Sequence, residues 1–260
     1  MRTILWAAGD FGLAGTFAVA LGQGRCSDPD RTTISWLVSE LLCDSRIQLL
    51  QPIRGFLQVA SRWMIKVPTS VPQRARRRRA YIVFADEAGF MLAPVRRRTW
   101  APRGHTPVIK LSEPHGRISV IGAITISPKR AHFGFHFHLL ADNANFHGDS
   151  VARFIEEVHR RVRSPVTLVW DAIPIHSARP VRDYLGAHRT MVVEPFPPYA
   201  PELNPVDNVW GYIKYNRLAN YTSYNLDELR KRITAELRRL QRRPDLLESF
   251  FNRTGLGLGP

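Results

Sequence analysis

Three aspartates stand where a sheet-building chain could gather them. Asp86 follows the apolar run "YIVFA" (81–85), Asp171 follows "PVTLVW" (165–170), and Asp207 lies in "PYAPELNPVDNVW" (198–210). Short runs of apolar and β-branched residues that stop at an acid read as buried strands ending at a sheet edge. If the two strands are neighbours, Asp86 and Asp171 meet, and a helix after a later strand can bring Asp207 over the same edge. Three carboxylates about 5 Å apart repel by roughly 3 kcal/mol per pair at an effective dielectric of about 20. Two divalent cations remove that penalty, and an all-oxygen ligand set selects Mg2+ or Mn2+ over Zn2+. Such an ion pair stabilises the attacking and leaving oxygens of a phosphoryl transfer. Each acid also has a plain structural reading: a strand-end turn for Asp86, a cap before Pro174 for Asp171, and the third helical position for Asp207. There, behind Asn204 as N-cap and Pro205 at N1, an acid favours the helix dipole. Glu202, in the same run, is the rival of Asp207.

The bulk of the chain agrees with phosphate chemistry. It carries 37 Lys and Arg against 22 Asp and Glu, a formal net charge of +15 over 260 residues. A charge that large calls for an anionic partner, nucleic acid or an anionic membrane surface. Arg dominates the basic set, and its planar fork suits phosphate. The hydrophobic fraction of 44% supports one sizeable core. Cys26 and Cys43 cannot make a disulfide framework. No apolar run approaches the roughly 20 residues that span a bilayer, and "FGLAGTFAVALG" (11–22) has Asp10 before it rather than the basic start of a secretion signal.

The elements that must position the acids begin at Tyr81. The pattern predicts strands over 81–85, 117–126, 132–140, 165–171 and 190–196. It predicts helices over 149–162, 176–188, from about Pro205, and over about 226–243. In the first of these helices Val151, Phe154, Ile155, Val158 and Val162 share a face. In the last, Leu226, Leu229, Ile233, Leu237 and Leu240 form a stripe, with Asn225 and Glu228 at capping-box spacing. Three hairpin-type strands followed by β-α-β-α units make an α/β fold with a mixed five-stranded sheet flanked by helices. Residues 1–73 read as a separate N-terminal region, helical in pattern but with no clear helix-turn-helix, ending in a linker at "VPTSVPQ" (67–73). The sheet domain is assigned to 74–251 and a flexible tail to 252–260.

"VFADEAGF", "RRRTWAPRGHTPV", "LVWDAIPIHSA" and "PPYAPELNPVDNVWGYIK" occur in that order between about Arg77 and Phe251. Together they resemble the bacterial insertion-sequence transposases of the six-thirty family, in the mariner superfamily of DDE/DDD recombinases. The resemblance implies a ribonuclease-H-like core and an enzyme that cleaves and transfers DNA strands. It implies Asp86 and Asp171 as the first two metal ligands and, two positions after the Asn-Pro pair, Asp207 as the third. There are 35 residues between Asp171 and Asp207 (207 − 171 − 1) and 30 between Asp171 and Glu202; the family spacing matches the longer interval. The implied partner is double-stranded DNA, both element ends and target, with a homodimer as an open option and no membrane association. The implied location is cytoplasmic, at the bacterial nucleoid. Two other readings stay open: a catalytically silent DNA-binding remnant, and a nuclease without strand transfer.

Further residues suit such a site. His176, five positions after Asp171, matches a His of the family motif and is a candidate neighbour of the active site. Lys214, two turns beyond Asp207, and the loop residues Arg97, Arg98, Trp100 and Arg103 are candidate DNA contacts through charge and stacking. The arginine-rich "RARRRRA" (74–80) reads either as a solvated helix end or as phosphate contact. His132, His136 and His138 share a strand face, but no further metal ligand stands at a matching spacing, so they read as structural histidines.

Overall fold

A computed structural model of the chain describes residues 71–106, 108, 115–129, 132–196 and 201–256, all within one unit, Ile65–Pro260. The N-terminal region assigned to 1–73 therefore lies almost wholly outside the described residues. Residues 71–73, expected as the end of a linker, are instead helical and continuous with a helix (α1) over 71–77. Its buried Val71 and Ala75 explain why a stretch with proline and charge still packs. Two of the basic residues here hold the protein itself: Arg74 pairs with Glu194 at 2.6 Å, and Arg78 donates to the Thr190 carbonyl at 2.8 Å.

Five strands follow: β1 (Tyr81–Met91), β2 (Arg117–Ile126), β3 (Phe133–Leu139), β4 (Val166–Trp170) and β5 (Met191–Pro195). Their spatial order is β3-β2-β1-β4-β5. The first three are antiparallel neighbours, while β4 and β5 run parallel to β1. The mixed sheet read from the sequence is thus the observed one. One boundary is corrected. β1 does not stop at Asp86 but continues to Met91, pairing with β2 down to Met91 opposite Arg117. Asp, Glu and Gly are poor strand formers, so the local signal ends at Ala85; the long β2 partner supplies the missing hydrogen bonds and overrides it.

Helices cover both faces. On one side, α2 (Gly148–Val162) and α3 (Arg179–Ala187) bury Val151, Phe154, Ile155, Val158 and Val181 against Val83, Ala85, Ile121, Ala123, Leu168 and Trp170. The stripe read from the α2 sequence is the buried one, with Val162 at its margin. The other side carries α4 (Pro205–Tyr212), α5 (Leu226–Gln241) and α6 (Pro244–Asn252). Here Phe84 and Phe133 meet Phe251, and Phe135 and Phe90 meet Trp210. The α6 helix was not expected from the sequence, although Pro244 at its first turn is a start signal. In α5 the Asn225 side chain accepts from the Glu228 N–H at 2.9 Å, as capping requires. The return arm goes one residue further back, where Glu228 accepts from the Tyr224 N–H at 2.8 Å. Glu236, on the apolar side of α5, is buried and held by Arg217, Arg232 and Arg239. None of the described helices is long and apolar enough to cross a membrane.

Candidate active site

Strand register puts the first two acids side by side. Phe84 on β1 pairs with Val169 on the parallel β4; Asp86 lies two residues further on along β1, and Asp171 lies just past the end of β4, so the register brings both acids to the same end of the two neighbouring strands. Alternation then sorts β1 by face. Asp86 shares the side of Phe84 and Phe90, where Trp210 packs, and Glu87 shares the side of Val83 and Ala85, where α2 packs.

The third acid arrives on α4. Asn204 caps this helix, its Oδ1 accepting from the Val206 N–H at 3.1 Å, with Pro205 at N1. The same side chain donates from Nδ2 to the Ala85 carbonyl at 3.3 Å, which pins the start of α4 beside Asp86 and sets Asp207 at N3. Further along α4, Trp210 Nε1 donates to Asp86 Oδ2 at 2.8 Å. Space for that indole comes from Gly122, which pairs with Asp86 across β1 and β2. A Cβ on Gly122 would stand 2.7 and 2.9 Å from Trp210 ring carbons. Gly122→Ala should therefore cost about 1–3 kcal/mol, the usual range for overpacking, and push the indole off Asp86. A denaturant titration checks this, and an unchanged midpoint would refute it.

Electrostatics tie the acids into one cluster. Burial, then the charges of Asp207 and Glu87, hold the Asp86 carboxyl well above its ordinary range, and Asp171 adds to the rise; the Trp210 hydrogen bond offsets only part of it. Burial also pushes Asp207 up to about 6, with Asp171 and Glu202 adding to the rise, against the pull of Lys214 and of a hydrogen bond with Asp86. Both carboxyls are thus held towards the protonated form, chiefly by burial. Lys214 sits in the π-turn Ile213–Arg217 that follows α4. Its Nζ is 5.4 Å from the Phe90 ring centroid. Burial lowers its pKa while Asp86 and Asp207 raise it, so this cation faces the acids.

His176 holds the remaining acid from the far side. It lies in the 3-10 turn Pro174–Ser177, buried and stacked flat on Trp170 with ring centroids 4.0 Å apart. Its Nδ1 is 2.9 Å from the Asp171 carbonyl and 2.9 Å from Asp171 Oδ1, and its Nε2 is 2.9 Å from Glu87 Oε1. Burial alone would lower its pKa, but these contacts with Asp171 and Glu87 outweigh it and push the imidazole up to about 10. Glu87 and Trp210 could not be read as partners beforehand, since they lie 89 and 124 positions from the residues they bond.

The loop after β1 is docked at its base and open beyond. Asn220 accepts from the Arg97 N–H at 2.8 Å and donates to the Arg97 carbonyl at 2.9 Å. Arg97 also donates to the Tyr215 carbonyl at 3.1 Å. Arg98, Trp100 and Arg103 are exposed, Trp100 fully so. Glu202, in the turn Pro201–Leu203, is exposed as well.

The donor chemistry fits a hard divalent cation. The three acids offer only carboxylate oxygens, and the negative charge of Asp207 beside the buried Asp86 carboxyl is what a cation would neutralise. The cage is not preformed: among the described residues no group of three His, Cys, Asp or Glu side chains is already disposed to hold a metal ion.

A mixed sheet in the order 3-2-1-4-5 with helices on both faces is the ribonuclease-H-like fold. Residues 81–230, more than half of the chain, match the DDE superfamily endonuclease family, and the chain belongs to that family. Among solved structures, the Mos1 mariner paired-end complex with Mn aligns at a TM-score of 0.54 and 17% identity, covering 85% of this chain and 68% of that one. The Mos1 paired-end complex with Mg aligns at 0.50 and 16%, covering 95% and 82%. No curated protein matches the chain.

Proposed function

We propose that the chain is a DNA transposase of the DDD type, cleaving strands at the ends of a mobile element and joining them to target DNA. The observation that supports this best is the convergence of Asp86, Asp171 and Asp207: two strands and a helix far apart in sequence bring the acids close enough for Asp171 and Asp207 to raise Asp86, and for Asp171 to raise Asp207. Structural acids are normally placed apart or beside cations. A fold that keeps such repulsion is storing it for use.

In this reading the three aspartates are the ligands of two divalent ions, Mg2+ or Mn2+. Bound there, the ions would activate water and stabilise the leaving oxygen of the scissile phosphodiester. The protein's own groups prepare that state. Asp86 and Asp207, both raised above their ordinary pKa, would give up their protons to the ions, Trp210 fixes the orientation of Asp86, and His176 holds Asp171. Lys214, at the margin of the acids, faces the phosphate, and Arg98, Trp100 and Arg103 contact the duplex beyond the site. Hydrolysis breaks the P–O3′ bond and leaves a free 3′-hydroxyl. In the second transfer that hydroxyl attacks a target phosphodiester and displaces a target 3′-oxygen, so each bond broken is matched by one formed. The Mos1 structures, described as paired-end complexes with Mn and Mg, support DNA ends as the partner and a divalent cation as the cofactor.

The test is strand cleavage and joining on end-mimicking and branched duplexes with Mn2+. Cleavage followed by joined product is the expected result. Cleavage without joining would leave a nuclease, and DNA binding without metal-dependent cleavage would leave a binding remnant.

A further inference from the structure

Adjacent residues of β1 point to opposite faces, and here both are acids. Asp86 goes to the cluster. Glu87 goes to the other side and ends on His176 Nε2 at 2.9 Å. The opposite ring nitrogen faces Asp171, through its carbonyl and through Oδ1. The ring between them has little freedom to turn, because it is buried and lies parallel to the Trp170 indole within 1°. Asp171 itself is nearly half exposed, with its side chain at 46%. The residue follows the last residue of β4, so no ladder holds it. Among the described residues, His176 is the group that contacts its carboxylate within ion-pair distance.

We propose that Glu87 is a positioning residue: through His176 it fixes the Asp171 carboxylate near Asp86. The proposal rests on the reading of Asp171 as a metal ligand. Both ring nitrogens meet an acceptor, so the ring is anchored at two ends, and loss of the Glu87 end leaves Nε2 buried without its acceptor and weakens the hold of Nδ1 on Asp171. Partners that orient a ligand in this way typically contribute about 10- to 100-fold in metal affinity or activity when removed. The Glu87 side chain does not belong to the acid cluster's face, so its effect on Asp171 travels through the imidazole rather than through direct ligation.

The experiment titrates Mn2+ into the full chain and follows free aquo-Mn2+ by electron paramagnetic resonance, beside cleavage of an end-mimicking duplex and a thermal melt. Glu87→Met keeps the length and volume of the side chain but accepts no such hydrogen bond. It should bind Mn2+ about 10- to 100-fold more weakly and cleave correspondingly more slowly. Glu87→Gln keeps an amide that can satisfy Nε2 in either protonation state, and it should stay within about threefold of the parent, well below that range. The inference is overturned if Glu87→Met binds Mn2+ like the parent, if Glu87→Gln is as weak as Glu87→Met, or if Glu87→Met loses its melting transition, which would make the contact a folding element. A parent chain that neither binds Mn2+ nor cleaves would instead sink the metal-site reading beneath it, so the two failures are told apart.

Discussion

Asp207→Asn should abolish metal-dependent strand cleavage, while Glu202→Gln should leave most of it. The two acids are five positions apart in one proline-rich run, yet they stand differently. Asp207 is partly buried at the third position of α4, close enough for its charge to raise the Asp86 carboxyl. Glu202 is exposed in the preceding turn and is felt at the site only as a distant charge on Asp207. Asn keeps the size of Asp and leaves the Asn204 cap and the Pro205 start untouched, so the helix should form. What it removes is the anionic oxygen. Loss of a ligand should exceed the roughly 100-fold that loss of an outer partner can cost; loss of Glu202 should fall within a few fold. If Asp207 were only a dipole-favouring residue, its replacement would cost about 0.3–1 kcal/mol of stability and leave cleavage intact. A cleavage assay on the two variants separates these outcomes, and the reverse ranking would move the third ligand to Glu202.

What the sequence made legible follows from which interactions are local. The sheet could be read because most of its strands are continuous apolar runs, the third alternates Phe with His, and its helices have one-sided stripes, as in α2. The approach of Asp86 to Asp171 could be read because β1 and β4 are parallel neighbours in register, even though only β4 ends there and β1 continues past Asp86. The continuation of β1 through Asp86, Glu87 and Gly89 could not, since it depends on β2 rather than on its own residues. Trp210 illustrates the same limit. An indole in an aromatic-rich run looks like core, and only the Gly122 gap opposite Asp86 turns its N–H onto a carboxylate. Glu236 is a third case: its acid falls on the apolar side of α5, and the arginines that neutralise it include Arg217, 19 positions away. The exposed Arg98, Trp100 and Arg103 were legible as a basic loop, but the anchor of that loop, Asn220 with a left-handed backbone at φ 57°, was not.

The acid pair should also make the protein less stable at neutral pH than at mildly acid pH, and Asp207→Asn should remove much of that loss. Asp207 has a folded-state pKa of about 6 against an ordinary 3.8, and Asp86 is shifted in the same direction. Between those values the native chain holds protons that the unfolded chain has released, so stability falls as pH rises from about 4 towards 6 and stays low above it. A rise of about two units corresponds to nearly 3 kcal/mol; solvent screening at a partly exposed group reduces this to about 1–2 kcal/mol. The Asn variant should therefore match the parent near pH 4 and melt a few degrees higher at pH 8, given roughly 2–4 °C per kcal/mol for a domain of this size. Comparing variant with parent cancels the opposite contribution of acids such as Asp245, whose pairing with Arg243 lowers its pKa. Mn2+ should then raise the parent's melting temperature at pH 8 by binding the folded state, and should raise that of the variant much less. Equal melting of parent and variant at pH 8 without metal would mean that the three acids do not strain one another, and the case for a cation site built from them would lose its physical basis. The gain in stability together with the loss of cleavage is the signature to look for, because a helix-capping acid would give neither.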